Sequence, residues 1–399
     1  MKTAVIISEY NPFHMGHEYL IRSVRERFGE DTAVISVMSG NFTQRGELAI
    51  LPKQYRAKAA ILGGANLVLE LPFPFSSSSA EFFAKSAVKI ASDIGVADIL
   101  VCGSECGCER DLAVAADITD SNEYKAAFNS LSEDKTLGYP KKCELAYKMA
   151  GGNDSLTFSP NNILAIEYIR AIKSLSSDLK FHTFKRVGAD YSCENTVSGI
   201  YQSAMAIRNT INEKADYTAF VPPYCSDILA DAERYGDMPA SIERISSAII
   251  SYFRLNPPHS DLEYHDAGDG LYNRLYNSSL EASTISSLFE LTETKSYTNA
   301  RLKRAMWSVF FGVTSSDVRT LPLYTQVLAM DSIGMLLLKK ARKLSEIPIL
   351  TKPSAISELS DAARRQKLLS DKADSVYELS KPEPKSAKGV YTYVPFIKK

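Results

Sequence analysis

Two histidines three positions apart, His14 and His17, enclose Met15 and Gly16. They follow an apolar run, Ala4-Val5-Ile6-Ile7, and a polar turn, and a helical pattern follows them. A short apolar run of this kind reads as a buried parallel strand, whose ligand site lies beyond its carboxyl end. A helix starting at His17 or Glu18 points free backbone N–H groups into that crevice, where an anion binds well. Gly16 lets the backbone approach a phosphate closely. Two imidazoles at such a place suit a triphosphate attacked at its α-phosphorus, since they can donate hydrogen bonds to oxygens that gain charge as pyrophosphate leaves. The bland alternatives are a helix-surface pair or a metal pair; Asn11-Pro12-Phe13 before the histidines and the glycine between them favour the nucleotide.

Other residues could serve the same crevice. Arg45 in Gln44-Arg45-Gly46-Glu47 is a phosphate candidate, or a partner of Glu47. Lys53 is another phosphate candidate, beside Arg56 at a helix start. Gly103 in Cys102-Gly103-Ser104-Glu105 sits at a strand end, where a glycine admits an adenine or ribose. Ser203 and Arg208 form a Ser-x-x-x-x-Arg turn at a helix start, Ser203 as cap and phosphate contact, Arg208 to neutralise pyrophosphate. Ser159-Pro160-Asn161-Asn162 is a turn and cap pattern. Lys185-Arg186, before Val187-Gly188, ends a strand. Far along the chain, Lys295, Tyr297, Arg301, Lys303, Arg304 and Trp307 combine basic and stacking groups, which suits an RNA backbone with an unstacked base. Lys295, Arg301 and Arg304 are the RNA candidates of that cluster; a solvated helix face is the alternative. Cys102, Cys106, Cys108 and Cys143 do not have the spacing of a zinc site, and no metal centre is expected.

These residues need a scaffold. Strand patterns cover 4–8, 33–38, 67–71, 99–102 and 180–185, alternating with helical patterns over 18–28, 55–62, 80–94, 161–175 and 204–211. That alternation predicts an α/β, Rossmann-like domain with a mostly parallel sheet. Residues 109 to 150 read as a polar helical insertion. A helix is expected over 238–255, and from Leu271 onward the chain reads as almost all helix and turn. The expected division is a catalytic nucleotide-binding domain over 1–240 and a mainly helical domain over 241–399. The 399 residues carry 46 Lys plus Arg against 47 Asp plus Glu, so net charge neither indicates nor excludes nucleic acid. The chain has no signal peptide pattern and no apolar run of membrane-spanning length, so a cytoplasmic protein is expected.

The HxGH loop after a first strand resembles the nucleotidylyltransferase superfamily. The pieces EYNPFHMGH, MSGNFTQRGE, LVLELPFPFS, GSE, SPNNILAIEY and SAMAIR, with weaker echoes in GDGLYNRL and KSYTNARLKR, resemble the bacterial tRNA(Met) cytidine acetate ligase family nearly end to end. One departure is Met205, where the superfamily pattern has threonine. The resemblance implies that ATP lies along Ile7, Ser8, Glu9, Tyr10, Asn11, Pro12, Phe13, His14, Met15, Gly16, His17, Glu18, Tyr19 and Leu20, with further contacts from Gly103, Asn162 and Arg186. It implies His14 and His17 as catalytic residues, acetate and tRNA(Met) as partners, and N4-acetylation of the wobble cytidine through acetyl-adenylate. Mg2+ is allowed but not shown by the sequence, and no protein partner is implied. The competing readings are a small-molecule adenylyltransferase and a non-catalytic RNA-binding protein on the same fold.

Overall fold

Strand β1 (Thr3–Ser8) is buried at all six positions, and so are β2 (Ala33–Ser39) over seven and β3 (Leu67–Leu71) over five. No polar face alternates along them because helices cover both sides, the signature of a parallel sheet. The computed structural model describes residues 1–132, 134, 137–153, 156–186, 201–259, 263–268, 270–294 and 297–398. With β4 (Ile99–Ser104), β5 (Lys180–Lys185), β6 (Thr325–Met330), β7 (Ile349–Leu350) and β8 (Phe396–Ile397), the strands form one sheet. Its order is β5-β4-β1-β2-β3-β6-β7, and β8 pairs with β6.

The first five strands are mutually parallel, with Ile7 opposite Val37 and Gly103 opposite Phe184. The chain winds outward from β1 through β2 to β3, then returns to place β4 on the other side of β1. The order therefore reverses between β1 and β4, and a crevice opens beyond their carboxyl ends. Side chains alternate across the sheet. Val5, Ile7, Ile35, Val37, Leu69 and Leu100 face one apolar layer, which includes the helices Ala80–Asp93 and Pro160–Ser174. Ala4, Ile6, Val34, Met38, Val68 and Val101 face the other, which includes Met15–Phe28, Lys53–Leu62, Ala204–Asn212 and Pro223–Arg234.

Three expectations need correction. The segment from 109 to 150 is not merely a polar insertion: Leu112, Ala115, Ala116, Cys143, Ala146 and Tyr147 are buried within the first apolar layer. The helix expected from Met238 starts later, as a short turn at Ile242–Ile245 followed by Ser246–Leu255. The chain beyond Leu271 is not only helix and turn. β6 lies antiparallel against β3, with Leu67 opposite Met330, and all six of its residues are buried. It closes an edge that would otherwise expose unpaired backbone groups. Asp331 accepts from the Asn66 side chain at 2.8 Å and caps the next helix through the Gly334 N–H at 2.8 Å. A Cβ on Gly334 would fall 1.9 Å from the Asn66 carbonyl oxygen, so only glycine fits there.

The mainly helical C-terminal region has its own core, and that core includes Phe42 and Phe73 from the loops after β2 and β3. Trp307 is fully buried, meets Phe42 edge-on at 5.1 Å, and stacks on Phe311. Its indole N–H donates to the Gly46 carbonyl at 2.8 Å. Burying an aromatic ring is worth roughly 1.5–3 kcal/mol, so this contact anchors the helical region to the sheet. Trp307 is therefore a core residue and not a stacking platform for RNA. Among the described residues no helix is long and apolar enough to cross a membrane.

Candidate active site

The helix after β1 begins at Met15, earlier than the sequence pattern suggests, and His14 is its cap. The Gly16 N–H donates to His14 Nδ1 at 3.0 Å, and the His14 N–H donates to His17 Nδ1 at 3.2 Å. Both Nδ1 atoms are thus acceptors, which assigns the ring proton of each histidine to Nε2. The rings lie against each other, centroids 3.8 Å apart, and Tyr10 meets His17 edge-on. Burial pushes the His14 pKa down to about 3, helped by the Arg186 and Arg208 charges. Burial, then His14 and Arg186, holds His17 well below the usual histidine value. At neutral pH both are uncharged donors through Nε2–H.

This changes the expected anion site. Two of the helix's first N–H groups are taken: Gly16 N–H by the His14 ring, and the His17 N–H by the His14 carbonyl at 2.9 Å. The imidazoles stand where the helix end would have offered its backbone. Gly16 has a local reason as well, since a Cβ there would come within 2.9 Å of His14 Cε1.

The rest of the loop divides by burial. Ile7, Tyr10, Asn11, Pro12 and Phe13 are buried and hold the backbone. Tyr10 OH pairs with Ser36 Oγ at 2.8 Å, and Asn11 Oδ1 accepts from the Ile50 N–H at 2.8 Å. Ser8 is buried at the strand end, while Glu9, Met15, Gly16, His17, Glu18, Tyr19 and Leu20 are partly exposed. Glu9 accepts from the Gln44 N–H at 2.7 Å. Burial raises its pKa against the Gln44 N–H and the Arg208 and Arg56 charges.

The ends of β4 and β5 complete the crevice. Arg186 lies across Gly103, its Cγ 3.3 Å from where a Cβ would be, so a side chain there would press on the arginine. Glu105 accepts from Ser159 Oγ at 2.7 Å, Asn161 Nδ2 at 2.5 Å and the Asn162 N–H at 2.9 Å. The Asn162 side chain is fully buried between the Cys106 N–H and the Thr157 carbonyl. Its amide therefore shapes the β4 turn, and Asn161 is the more open of the two. Val187 and Gly188 lie outside the described residues.

Ser203 is a helix cap, accepting from the Ala206 N–H at 3.1 Å. One turn on, Arg208 donates to the Asn11 carbonyl at 2.9 Å and meets Glu47 at 3.3 Å. Arg208, Arg186, Gly103 and the histidines are thus gathered at one end of the sheet.

Other candidates are placed differently. Lys53 is buried, with Nζ 2.6 Å from Glu70 and 2.5 Å from Asp374. Burial alone would lower its pKa, but Asp374 and Glu70 raise it above the ordinary lysine value. In this conformation Nζ is committed to the two carboxylates, the arrangement of a structural cation. Arg56 is also buried, donating to the Leu51, Glu9, Ser39 and Gly40 carbonyls, so it ties the ends of β1 and β2. Burial brings its pKa down to about 10. Arg304 is buried against Asp266, with Nε 2.6 Å from the carboxylate. Arg301 donates to the Asp266 carbonyl and lies over the Tyr297 ring. The RNA-facing role expected for Arg304 is excluded in this conformation, because its guanidinium is committed inside. Arg45 is half-buried beside Glu47. Lys295 lies outside the described residues. Among the described residues, no group of three or more His, Cys, Asp or Glu could hold a metal ion.

Sequence reasoning did not weigh Glu105 as an organiser, although its position after the Gly-Ser turn marks it. The roles of Arg56 and Glu47 had no sequence signal, since their partners are distant.

A model of the HIGH nucleotidyl transferase family matches residues 1–390. A tRNA(Met) cytidine acetate ligase of Acetivibrio thermocellus is 36% identical over 384 residues, covering 92% of this chain and 92% of that protein. One of Thermosipho africanus is 33% identical over 402 residues, covering 98% and 95%. The crystal structure of Thermotoga maritima TmcAL bound with alpha-thio ATP shares the fold with a TM-score of 0.89 at 29% identity, covering 100% of this chain and 99% of that one.

Proposed function

The chain belongs to the HIGH nucleotidyl transferase family, and from that premise we propose that it is an ATP-dependent tRNA(Met) cytidine acetate ligase. It activates acetate as acetyl-adenylate and transfers the acetyl group to N4 of the wobble cytidine of elongator tRNA(Met). The observation that carries the reading is the pair of neutral imidazoles at the β1–β4 reversal, each locked through Nδ1 so that Nε2–H is the donor.

The first step needs no base. An acetate oxygen, already ionised, attacks the α-phosphorus of ATP in line. The bond to the bridging oxygen breaks, and pyrophosphate leaves with its electron pair. Charge builds on the phosphoryl oxygens, where hydrogen-bond donors fixed in advance stabilise it most. His14 and His17 supply those donors without adding a cation. Arg208 and Arg186 flank them and balance the triphosphate. In the second step N4 attacks the acetyl carbonyl, AMP leaves, and N4 loses one proton. Cytosine N4 is a weak nucleophile because its lone pair is delocalised into the ring, hence the activated mixed anhydride. We assign residues 1–240 the nucleotide chemistry and the region 241–399 the positioning of tRNA. What supports the second assignment is the basic cluster on the helix Asn299–Phe311, where Arg301 and Lys303 stay partly exposed; the buried Arg304 is withdrawn from it.

The test is ATP–pyrophosphate exchange with and without acetate, followed by nucleoside mass analysis of tRNA(Met) transcripts incubated with the protein. Acetate-dependent exchange and an N4-acetylcytidine product support the reading. Exchange dependent on a phosphate monoester instead would make the protein a small-molecule adenylyltransferase.

A further inference from the structure

One carboxylate joins the nucleotide loop to the C-terminal helical region. Glu47 lies in the loop after β2. Its Oε1 is 3.1 Å from Lys303 Nζ, and its Oε2 is 3.3 Å from Arg208 Nη2. Arg208 in turn donates to the Asn11 carbonyl, three residues before His14. The helix Asn299–Phe311 carries Lys303 and is pressed onto the same loop: a Cβ on Gly46, which has φ +74°, would meet the Arg304 nitrogen and Lys303 Cβ at 2.8 Å each. Three segments, around residues 47, 208 and 303, therefore meet at one acidic side chain.

The geometry has a chemical consequence. Arg208 has two forked ends. One is spent on the Asn11 carbonyl and the other is aimed by Glu47, so the carboxylate fixes where the cation stands over the loop. Lys303 shares that carboxylate and is 28% exposed at its side chain, within reach of a polyanion on the surface. Drawing Lys303 toward an external phosphate removes one of the two cations in contact with Glu47 and leaves Arg208 as the one still bonded to it. Burial by itself would raise the Glu47 pKa, but Lys303 and Arg208 bring it below the ordinary carboxylate value, so it is charged at neutral pH.

We propose that Glu47 is a positioning residue that sets Arg208 over the nucleotide loop and, through Lys303, couples RNA bound at the helical region to ATP bound at the crevice. This rests on the acetate-ligase reading above. Coupling between two ligands is reciprocal, so it can be measured from either side.

The experiment uses the full chain, a tRNA(Met) transcript, and an ATP analogue with a methylene bridge between the α- and β-phosphorus. In the unaltered protein the analogue should tighten tRNA binding by about three- to tenfold, within the usual range for such coupling. In Glu47→Gln this factor should fall to about one, with KM for ATP in acetate-dependent exchange rising on the order of tenfold and kcat changing little. In Lys303→Met the factor should also fall to about one, with a smaller rise in KM. Arg208→Lys should raise KM as Glu47→Gln does, and the double variant should cost less than the sum, as for residues acting as one unit. Thermal unfolding checks that each variant folds, and Lys303→Met carries the test if Glu47→Gln does not. A persistent coupling factor in Lys303→Met, an unchanged KM in Glu47→Gln, additive losses with Arg208→Lys, or no coupling in the unaltered protein would overturn the proposal. An unaltered protein with no acetate-dependent exchange would instead overturn the ligase reading.

Discussion

The two helices that begin at Met15 and at Asn299 make opposite use of their polar side chains. At Met15 the side chains of His14 and His17 are fixed by backbone N–H groups through Nδ1, and their Nε2–H donors are left for a ligand. At Asn299 the cations pair with polar partners: Arg304 is buried against Asp266, while Lys303 meets Glu47 and Arg301 a backbone carbonyl, both still partly exposed. The imidazoles are held from behind by neutral partners. A buried cation such as Arg304 is neutralised by a carboxylate or by converging carbonyls, as Lys53 and Arg56 also are. The loop Gln44–Glu47 nevertheless joins the two sites, since Glu9 accepts from the Gln44 N–H and Trp307 donates to the Gly46 carbonyl.

The largest effect expected is on stability, at the most fully consumed cation. Lys53→Met leaves Glu70 and Asp374 buried without their counter-charge and should destabilise the fold by about 3–5 kcal/mol. Denaturant unfolding measures it. Normal stability with a raised KM for ATP would return Lys53 to the phosphate site and erase the contrast.

His14→Ala and His17→Ala should each slow acetyl-adenylate formation by roughly 10²-fold or more, the scale for one lost donor to a developing anion. Single-turnover assays at saturating ATP give the rate. Near-normal rates in both would mean that the locked imidazoles are structural, like Arg304 of the second helix.

The third expectation concerns pH. The folded pKa of His14, about 3, lies below its unfolded value, so the unfolded chain binds the extra proton. Stability from this group is complete above about pH 6.5 and is lost as pH falls, by about 2 kcal/mol at pH 5. Denaturant unfolding of the unaltered protein and of His14→Asn, at pH 7 and pH 5, isolates the term. An equal acid sensitivity in both would show that the ring is not held neutral.

Arg304→Ala sharpens the second side of the comparison. It removes the guanidinium beside Asp266 and should cost about 1.5 kcal/mol of stability, the scale for a hydrogen bond to a charged group. It should also slow exchange, because the Gln44–Glu47 loop rests on this helix. The salt dependence of tRNA binding should stay nearly unchanged. A shallower salt slope with normal stability would restore Arg304 to the RNA face.

The smallest effect is expected at Met205, half-buried in the first turn of its helix. Met205→Thr should change stability by less than about 0.5 kcal/mol and leave KM for ATP or lower it slightly. A large loss in ATP affinity, read from the exchange assay, would show that the thioether itself supports the Arg208 turn.

Much of this was legible in the residues. The runs Ala4–Ile7, Ala33–Met38 and Leu67–Leu71 read as buried strands because a parallel sheet covered on both faces needs unbroken apolar sequence. The His-x-Gly-His spacing placed two imidazoles beyond the first of them, because a strand, a tight loop and a helix start are local events. TQVLAM at Thr325–Met330 gives no strand signal in the sequence, since a short buried run looks the same in a helix or a strand and its partner is β3, more than 250 residues away. The fates of the cations were out of reach for the same reason. Lys53 and Arg208 are both basic residues near a helix start, and nothing beside them in the chain separates them. Lys53 meets Asp374, 321 positions on, while Arg208 meets Asn11 and Glu47 across the sheet end. Periodicity and turn chemistry act over a few residues and are written in the chain. The pairing of a charge depends on which distant segment folds against it, and that was decided only by the tertiary structure.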